Sequence, residues 1–146
     1  MTLPIESLLR QTDKAGVYHL PLSGKEEIVV AAETNGYQIF RIDLTTARDK
    51  SAMLALIGEA MAFPEWFGHN ADALFDCLTD LGWRPAEGYL VLLEHCDALT
   101  HRVPDDFAQL LQVFEAAAEE WRNQGVPLWC LVEMQADGIA WLPGLA

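Results

Sequence analysis

The hydrophobic positions of residues 70–81 repeat with the period of an α-helix. Apolar residues recur three and four positions apart, which places them on one side of that helix. This apolar stripe consists of Leu74, Cys77, Leu78 and Leu81. The opposite side carries Asp72, Phe75, Asp76 and Thr79, with Asp80 at its edge. The pattern predicts a helix that buries one side and presents an acidic side to its surroundings.

The residues before this helix support the prediction. Asn70 is a suitable N-cap, because its side-chain oxygen can accept a backbone N–H of the first turn. Gly68 allows the chain to turn sharply there. The helix dipole favours the negative charge of Asp72 near the N-terminus. Trp66 and Phe67 stand just ahead, so aromatic and acidic residues meet at one helix end.

The acidic side has no lysine or arginine to neutralise it. Carboxylates four residues apart repel each other and cost an isolated helix a few tenths of a kcal/mol. We interpret the pattern as a binding surface, since aromatic anchors surrounded by charge are typical of protein-binding hot spots. The alternative is that Trp66, Phe67 and Phe75 are core residues and the aspartates a solvated rim.

The remaining pattern predicts strands alternating with helices. Tyr37–Asp43 is rich in β-formers, Tyr89–Glu94 is a near-continuous apolar run, and 128–132 follows a helix that ends near Gly125 and Pro127. A helix is expected after a capping box at Thr46–Asp49, with core positions Met53, Leu54, Ile57 and Met61. A longer helix starts near Pro104, with a stripe of Phe107, Leu110, Leu111, Phe114, Ala117, Ala118 and Trp121. Such alternation predicts an α/β fold with a small, about three-stranded parallel sheet packed with helices.

The two ends of the chain give weaker patterns. Residues 1–35 predict a short helix near Ile5–Arg10, a strand at Gly16–Leu20 and a helix near Glu26–Thr34. The tail 138–143 resembles another short strand, and we hypothesise that Val17–Leu20 and Ile139–Leu142 lie near each other. We expect residues 1–146 to form a single domain with these end segments as peripheral additions.

Composition limits the classes of partner. The 146 residues carry a formal net charge of −13, which opposes direct binding to nucleic acid or to an anionic membrane and suits a basic protein. The sequence contains no stretch that would span a membrane and no signal-peptide pattern at Met1. Its three cysteines are widely spaced, as in a cytoplasmic protein with reduced thiols. We expect a cytoplasmic monomer.

The run Pro64–Thr79, PEWFGHNADALFDCLT, resembles the signature of barstar-type ribonuclease inhibitors. It follows the pattern Pro-Glu-aromatic-aromatic-Gly-x-Asn-x-Asp-Ala-Leu-aromatic-Asp-Cys-Leu-Thr. The segments Tyr89–Glu94, Gln112–Phe114 and Leu128–Val132 resemble later parts of the same family, so the resemblance covers about residues 36–133. It implies a protein inhibitor, inside the cell, of a basic, guanyl-specific, barnase-like ribonuclease.

The resemblance also implies a binding site. Asp76 is expected to enter the catalytic centre of the nuclease, with Asp72 beside it. The full set of expected partner-binding residues is Asp72, Asp76, Phe75, Trp66, Asn70, Gly68, Thr79, Asp80, Trp83 and Glu120. The chain departs from the family at Ala116, where a relative has an acidic contact residue, at His69, and in the longer stretch 80–88. These changes leave a second function open, a barstar-like scaffold that holds another basic protein without inhibiting a nuclease.

Other chemistries are less well supported. Asp72 and Asp76 resemble a general acid–base pair only in spacing, with no pocket residue evident to hold a substrate. His95, Cys96, Asp97 and His101 could bind metal, yet their spacing fits no structural zinc pattern. Cys77 with His69 makes a poor nucleophile–base pair, because Cys77 lies on the apolar stripe. We therefore expect no enzymatic activity, no cofactor and no metal.

Overall fold

Four parallel strands form the centre of the structure, a computed structural model that describes residues 5–20, 25–64, 70–82 and 85–134. The strands are β1 (Val17–His19), β2 (Gln38–Asp43), β3 (Tyr89–Glu94) and β4 (Leu128–Val132). They lie in the order β1-β4-β3-β2. Val91 of β3 lies between Phe40 of β2 and Cys130 of β4, and Cys130 is in turn paired with Val17 of β1.

Helices cover both faces of this sheet. They are α1 (Ile5–Leu9), α2 (Lys25–Thr34), α3 (Lys50–Ala60), α4 (Ala71–Asp80), α5 (Asp97–Arg102) and α6 (Pro104–Asn123), with a 3₁₀ turn at Thr12–Lys14. Residues of α3 to α6 share one hydrophobic cluster with the sheet. Residues of α1 and α2 share a second cluster on the other face. The molecule is therefore a sheet between two helical layers.

Burial on both faces explains the composition of β3 and β4. Every residue of these two strands is buried. Leu90, Leu92, Trp129 and Leu131 pack toward α1 and α2. Their neighbours Val91, Leu93, Cys130 and Val132 pack toward the larger helical layer. A strand covered on both faces has no polar side, which is why its sequence is an apolar run and not an alternation.

The structure confirms the α/β class and the small parallel sheet, but the described residues form four strands of it and not about three. The additional strand, β1, is only three residues long and lies at the edge beside β4. The expected neighbour of Val17–Leu20, the segment Ile139–Leu142, lies outside the described residues.

The start of α3 also differs from the prediction. Asp49, and not Thr46, is the N-cap, and its carboxylate accepts the Ala52 N–H at 2.8 Å. Residues 44–47 form a turn instead, in which the Ala47 N–H donates to the Leu44 carbonyl. Asp49 was expected at the third helical position, and its short side chain caps at least as well as threonine.

The helices α1 and α2 lie directly on the sheet. The Trp129 indole N–H and the Tyr37 hydroxyl both donate to the Leu9 carbonyl, each at 2.9 Å. Tyr37 can reach this position because Gly88 lies against its ring, where a Cβ would come within 2.5 Å of the ring carbon Cε1. We propose that residues 5–134 fold as one unit.

A charged cluster joins α2 to the carboxyl ends of the strands. Glu94, the last residue of β3, accepts from Lys25 Nζ at 2.8 Å and from Arg41 Nε at 3.0 Å. Lys25 also pairs with Glu133, which follows β4. Burial raises the pKa of Glu94, but the hydrogen bonds from Arg41 and Lys25 outweigh burial and lower that pKa below its ordinary value.

The lowered pKa of Glu94 predicts acid sensitivity. A carboxyl whose pKa is lower in the folded state stabilises the fold above its unfolded value, 4.5, and loses that contribution as the pH falls below it. We expect Glu94→Gln to reduce the free energy of unfolding at pH 7 by about 2 kcal/mol, because Lys25 and Arg41 lose a charged partner. The difference in unfolding free energy between Glu94→Gln and wild type should shrink toward pH 3 in urea unfolding curves.

The control is Glu27→Gln, at an exposed position of α2. A loss of stability in Glu94→Gln that was equal at all pH values would contradict the prediction.

Deletion of residues 1–34 tests the proposed single unit. It would uncover the side chains of Leu90, Leu92, Trp129 and Leu131. Each large apolar side chain contributes about 1.5–3 kcal/mol when buried, so their exposure would exceed the stability of a typical domain once the lost helices are included. We expect the truncated chain to show no cooperative thermal transition by circular dichroism. A cooperative transition close to that of the full chain would show that the second helical layer is dispensable.

Candidate functional site

The helix α4 begins as its sequence predicts. The Asn70 side-chain oxygen accepts the Ala73 N–H at 2.8 Å, and Asn70 itself has extended backbone angles. This bond satisfies one of the N–H groups that have no partner within the first turn. Asp72 lies in the same turn, where the helix dipole favours its negative charge.

The two sides of α4 divide as expected. Leu74, Cys77, Leu78 and Leu81 are buried, which confirms the apolar stripe. Asp72, Asp76 and Asp80 are exposed, and Phe75 and Thr79 are half-buried. The three aspartates follow one another at intervals of one turn, so they form a continuous exposed row, here called the acidic row.

Phe75 and Thr79 lie along one edge of the acidic row. Phe75 packs against the larger hydrophobic cluster while part of its surface stays accessible. The Thr79 hydroxyl donates to the Phe75 carbonyl at 2.8 Å, as threonine often does within a helix. The row is therefore bordered by an apolar surface that is held in place by packing.

The acidic row lies apart from the ion pairs that the described residues form. None of the ion pairs among the described residues includes Asp72, Asp76 or Asp80. The charges of the row also act on a buried side chain, Cys77. Burial raises the pKa of the Cys77 thiol, and the charges of Asp76 and Asp80 raise it further, to about 11. A cationic partner would find these three carboxylates accessible at the surface.

The end of α6 lies beside the end of α4. The Trp121 indole N–H donates to the Leu78 carbonyl at 2.7 Å. Glu120, the neighbour of Trp121 in sequence, is exposed and accepts a long hydrogen bond from the Gln124 amide at 3.5 Å. Glu120 is thus one residue away from a direct contact with α4. Its role in binding remains a prediction.

Three expected site residues, Trp66, Gly68 and Trp83, lie outside the described residues. The contact of Trp121 with α4 was missed by sequence reasoning, which placed Trp121 only in the core. A buried tryptophan needs a partner for its N–H, and this requirement is the one signal that the sequence offered.

The candidate metal ligands do not converge. The Cys96 thiol is buried and donates to the Leu93 carbonyl at 3.4 Å, while His95 Nδ1 lies 3.3 Å from a Glu133 oxygen. Over the described ranges, no group of three or more histidine, cysteine, aspartate or glutamate side chains could hold a metal ion. Within the same ranges, no helix is both long enough and apolar enough to cross a membrane.

Comparison with known proteins identifies a family. Residues 37–133, about two thirds of the chain, match a family described as Barstar (barnase inhibitor). The matched region starts at the residue before β2 and ends just after β4, so it includes α4 and α6 but not α1, β1 or α2. No curated protein matches the chain.

The burial of the three cysteines predicts unreactive thiols. All three are free and buried, and burial is the largest cause of their raised pKa values. The thiolate is the reactive form of cysteine. The cysteines of the native protein should therefore hardly react with a chromogenic disulfide reagent at pH 8, and almost no coloured product should be released. The protein unfolded in guanidinium should react at three thiols per chain. Rapid labelling of the native protein at Cys77 would show that α4 opens far more often than its packing indicates.

Proposed function

The chain belongs to the Barstar (barnase inhibitor) family, and from this membership we propose that it inhibits a basic, guanyl-specific ribonuclease of the barnase type. The observation that supports this function is the acidic row, a set of exposed carboxylates on a capped helix, none of which forms an ion pair with another described residue. We propose that α4 occupies the active site of the nuclease and that Asp76 enters its catalytic centre.

The chemistry of the target explains why carboxylates would be effective. A ribonuclease active site binds the phosphate of its substrate, so it presents arginine, lysine or histidine side chains. Asp72 and Asp76 are one helical turn apart, about 6 Å along the axis. Their oxygens can take positions that phosphate oxygens would occupy and form charge-assisted hydrogen bonds with the same cations.

The structure of α4 keeps the entropic cost of binding low. Asn70 caps the start of the helix, and the buried residues Leu74 and Leu78 hold its other side against the core. The carboxylates are therefore presented from a backbone that is already ordered, which favours affinity because little further ordering is required on association. Phe75, Thr79, Asn70 and Asp80 would contact the enzyme around the two central carboxylates.

The overall charge would favour rapid association. A net charge of −13 attracts a basic enzyme over distances of about a Debye length and raises the association rate. Fast association suits an inhibitor that protects cellular RNA. We place this activity in the cytoplasm, where three reduced, buried cysteines are stable.

Inhibition in this way requires no reaction by the inhibitor. The exposed carboxylates lie on an open helix side, so they can block a site and provide charge but hold no substrate of their own. Other residues of the predicted binding set, Trp66, Gly68, Trp83 and Glu120, would extend the contact around the row.

Substitution of Asp76 tests the proposal. We expect Asp76→Ala to weaken binding to a barnase-like ribonuclease by several kcal/mol, because a charged partner group would be left buried and unpaired. This magnitude is that of protein–protein hot spots in general, of which the barnase–barstar complex is itself an example. Binding is measured by calorimetry and inhibition by the rate of RNA cleavage.

The matched control is Glu27→Ala, which removes an exposed carboxylate from α2, on the opposite face of the sheet. It should change neither binding nor inhibition, and both variants should unfold at nearly the wild-type temperature. If the protein bound the nuclease tightly but RNA cleavage continued, inhibition would be ruled out in favour of the alternative function, a non-inhibitory binding module. Equal affinity of wild type and Asp76→Ala would remove α4 from the interface.

A further inference from the structure

The hydrogen bond from Trp121 of α6 to the Leu78 carbonyl of α4 indicates a role for a residue outside the predicted binding set. We infer that Trp121 is a positioning residue, which fixes the end of α4 and with it the distal half of the acidic row. This inference rests on the proposed function, since it concerns the same surface.

The end of α4 leaves carbonyl groups that the helix cannot satisfy. Leu81 adopts a left-handed conformation with φ 47°, and its N–H returns to the Cys77 carbonyl at 3.2 Å. The next N–H, that of Gly82, donates to the Asp80 carboxylate at 3.2 Å and not to a main-chain carbonyl. The Leu78 carbonyl is satisfied from outside the helix by the Trp121 indole.

Trp121 is itself held firmly. It is 9% exposed, and its ring centroid lies 5.2 Å from that of Tyr89, the first residue of the central strand β3. Burial raises the pKa of Tyr89, and a hydrogen bond with the Ala86 backbone lowers it in part, so the tyrosine hydroxyl contacts the connection that follows α4. The two rings therefore tie both the end of α4 and the chain near Ala86 to the centre of the sheet.

This arrangement makes the two ends of the acidic row depend on different supports. Asp72 lies in the first turn, which Asn70 caps. Asp76 and Asp80 flank Leu78, the residue whose carbonyl Trp121 binds. Helix ends fray when their groups lack partners, and a displacement of about 1 Å is enough to weaken charged contacts severely. Loss of the indole bond should therefore affect Asp80 and Asp76 more than Asp72.

The chain offers a matched pair of substitutions. Trp121→Phe and Trp129→Phe each keep an aromatic ring and remove one buried indole N–H that donates to a main-chain carbonyl, Leu78 in one case and Leu9 in the other. The Trp129 bond lies on the opposite face of the sheet from α4. Both variants should lose similar stability, so a general loss of stability would weaken binding equally in the two.

Binding of each variant to a barnase-like ribonuclease is measured by surface plasmon resonance. We expect Trp121→Phe to raise the Kd about tenfold, through faster dissociation, and Trp129→Phe to change it less than about twofold. In double-mutant cycles Trp121→Phe should couple with Asp80→Asn and should be additive with Asp72→Asn. Amide exchange at Thr79 to Gly82 should accelerate in Trp121→Phe alone.

A second variant keeps the test decisive where Trp121→Phe folds poorly. Tyr89→Phe retains the ring pair and removes the hydroxyl near Ala86, and it should raise the Kd in the same direction by a smaller factor. Equal Kd changes for Trp121→Phe and Trp129→Phe, or additivity with Asp80→Asn, would overturn the positioning role while leaving the proposed function intact. Failure of the wild type to bind the nuclease would overturn the proposed function, and the positioning role for binding with it.

Discussion

The fold depends on the burial of β3 and β4 on both faces. These two strands form the middle of the sheet and expose no polar side, so neither face can be left to solvent. One face is covered by α3 to α6 and the other by α1 and α2. Because α4 is part of the larger helical layer, its inward stripe is fixed by the core while its outward side remains exposed. The acidic row is possible only because the packing of the inward stripe holds the helix.

The two ends of α4 are supported by different means, and this difference determines what keeps each half of the acidic row rigid. At the start a local side chain, Asn70, caps the helix, and the cap depends on nothing distant in sequence. At the end the support comes from Trp121, more than forty residues further along the chain. The N-terminal half of the acidic row is thus a property of the local sequence, whereas the C-terminal half requires the tertiary fold to be complete.

This distinction also explains how much the sequence could predict. The helical period of residues 74–81, the Asn70 cap and the buried strand expected from the apolar run 89–93 reflect local rules, and the structure confirms each of them. The resemblance to barstar-type inhibitors was recognised from the run that includes α4, and the family match confirms it. Strand β1 was correctly placed but not its membership of the sheet, because three residues at an edge carry little pattern. The bond of Trp121 to Leu78 follows from the crossing of two helices, which no local pattern encodes.

The acidic row works against the isolated helix, and this property favours binding of a basic partner. Like charges one turn apart destabilise a helix by a few tenths of a kcal/mol per pair. The burial of Leu74, Cys77, Leu78 and Leu81 contributes considerably more, so α4 forms in spite of the repulsion. A partner that brought cations to the row would remove this repulsion and add its own attraction, and by linkage it would stabilise the folded protein. The helix is therefore maintained by its inward side and strained electrostatically on its outward side. Such a division allows the outward residues of α4 to vary at little cost to the stability of the fold.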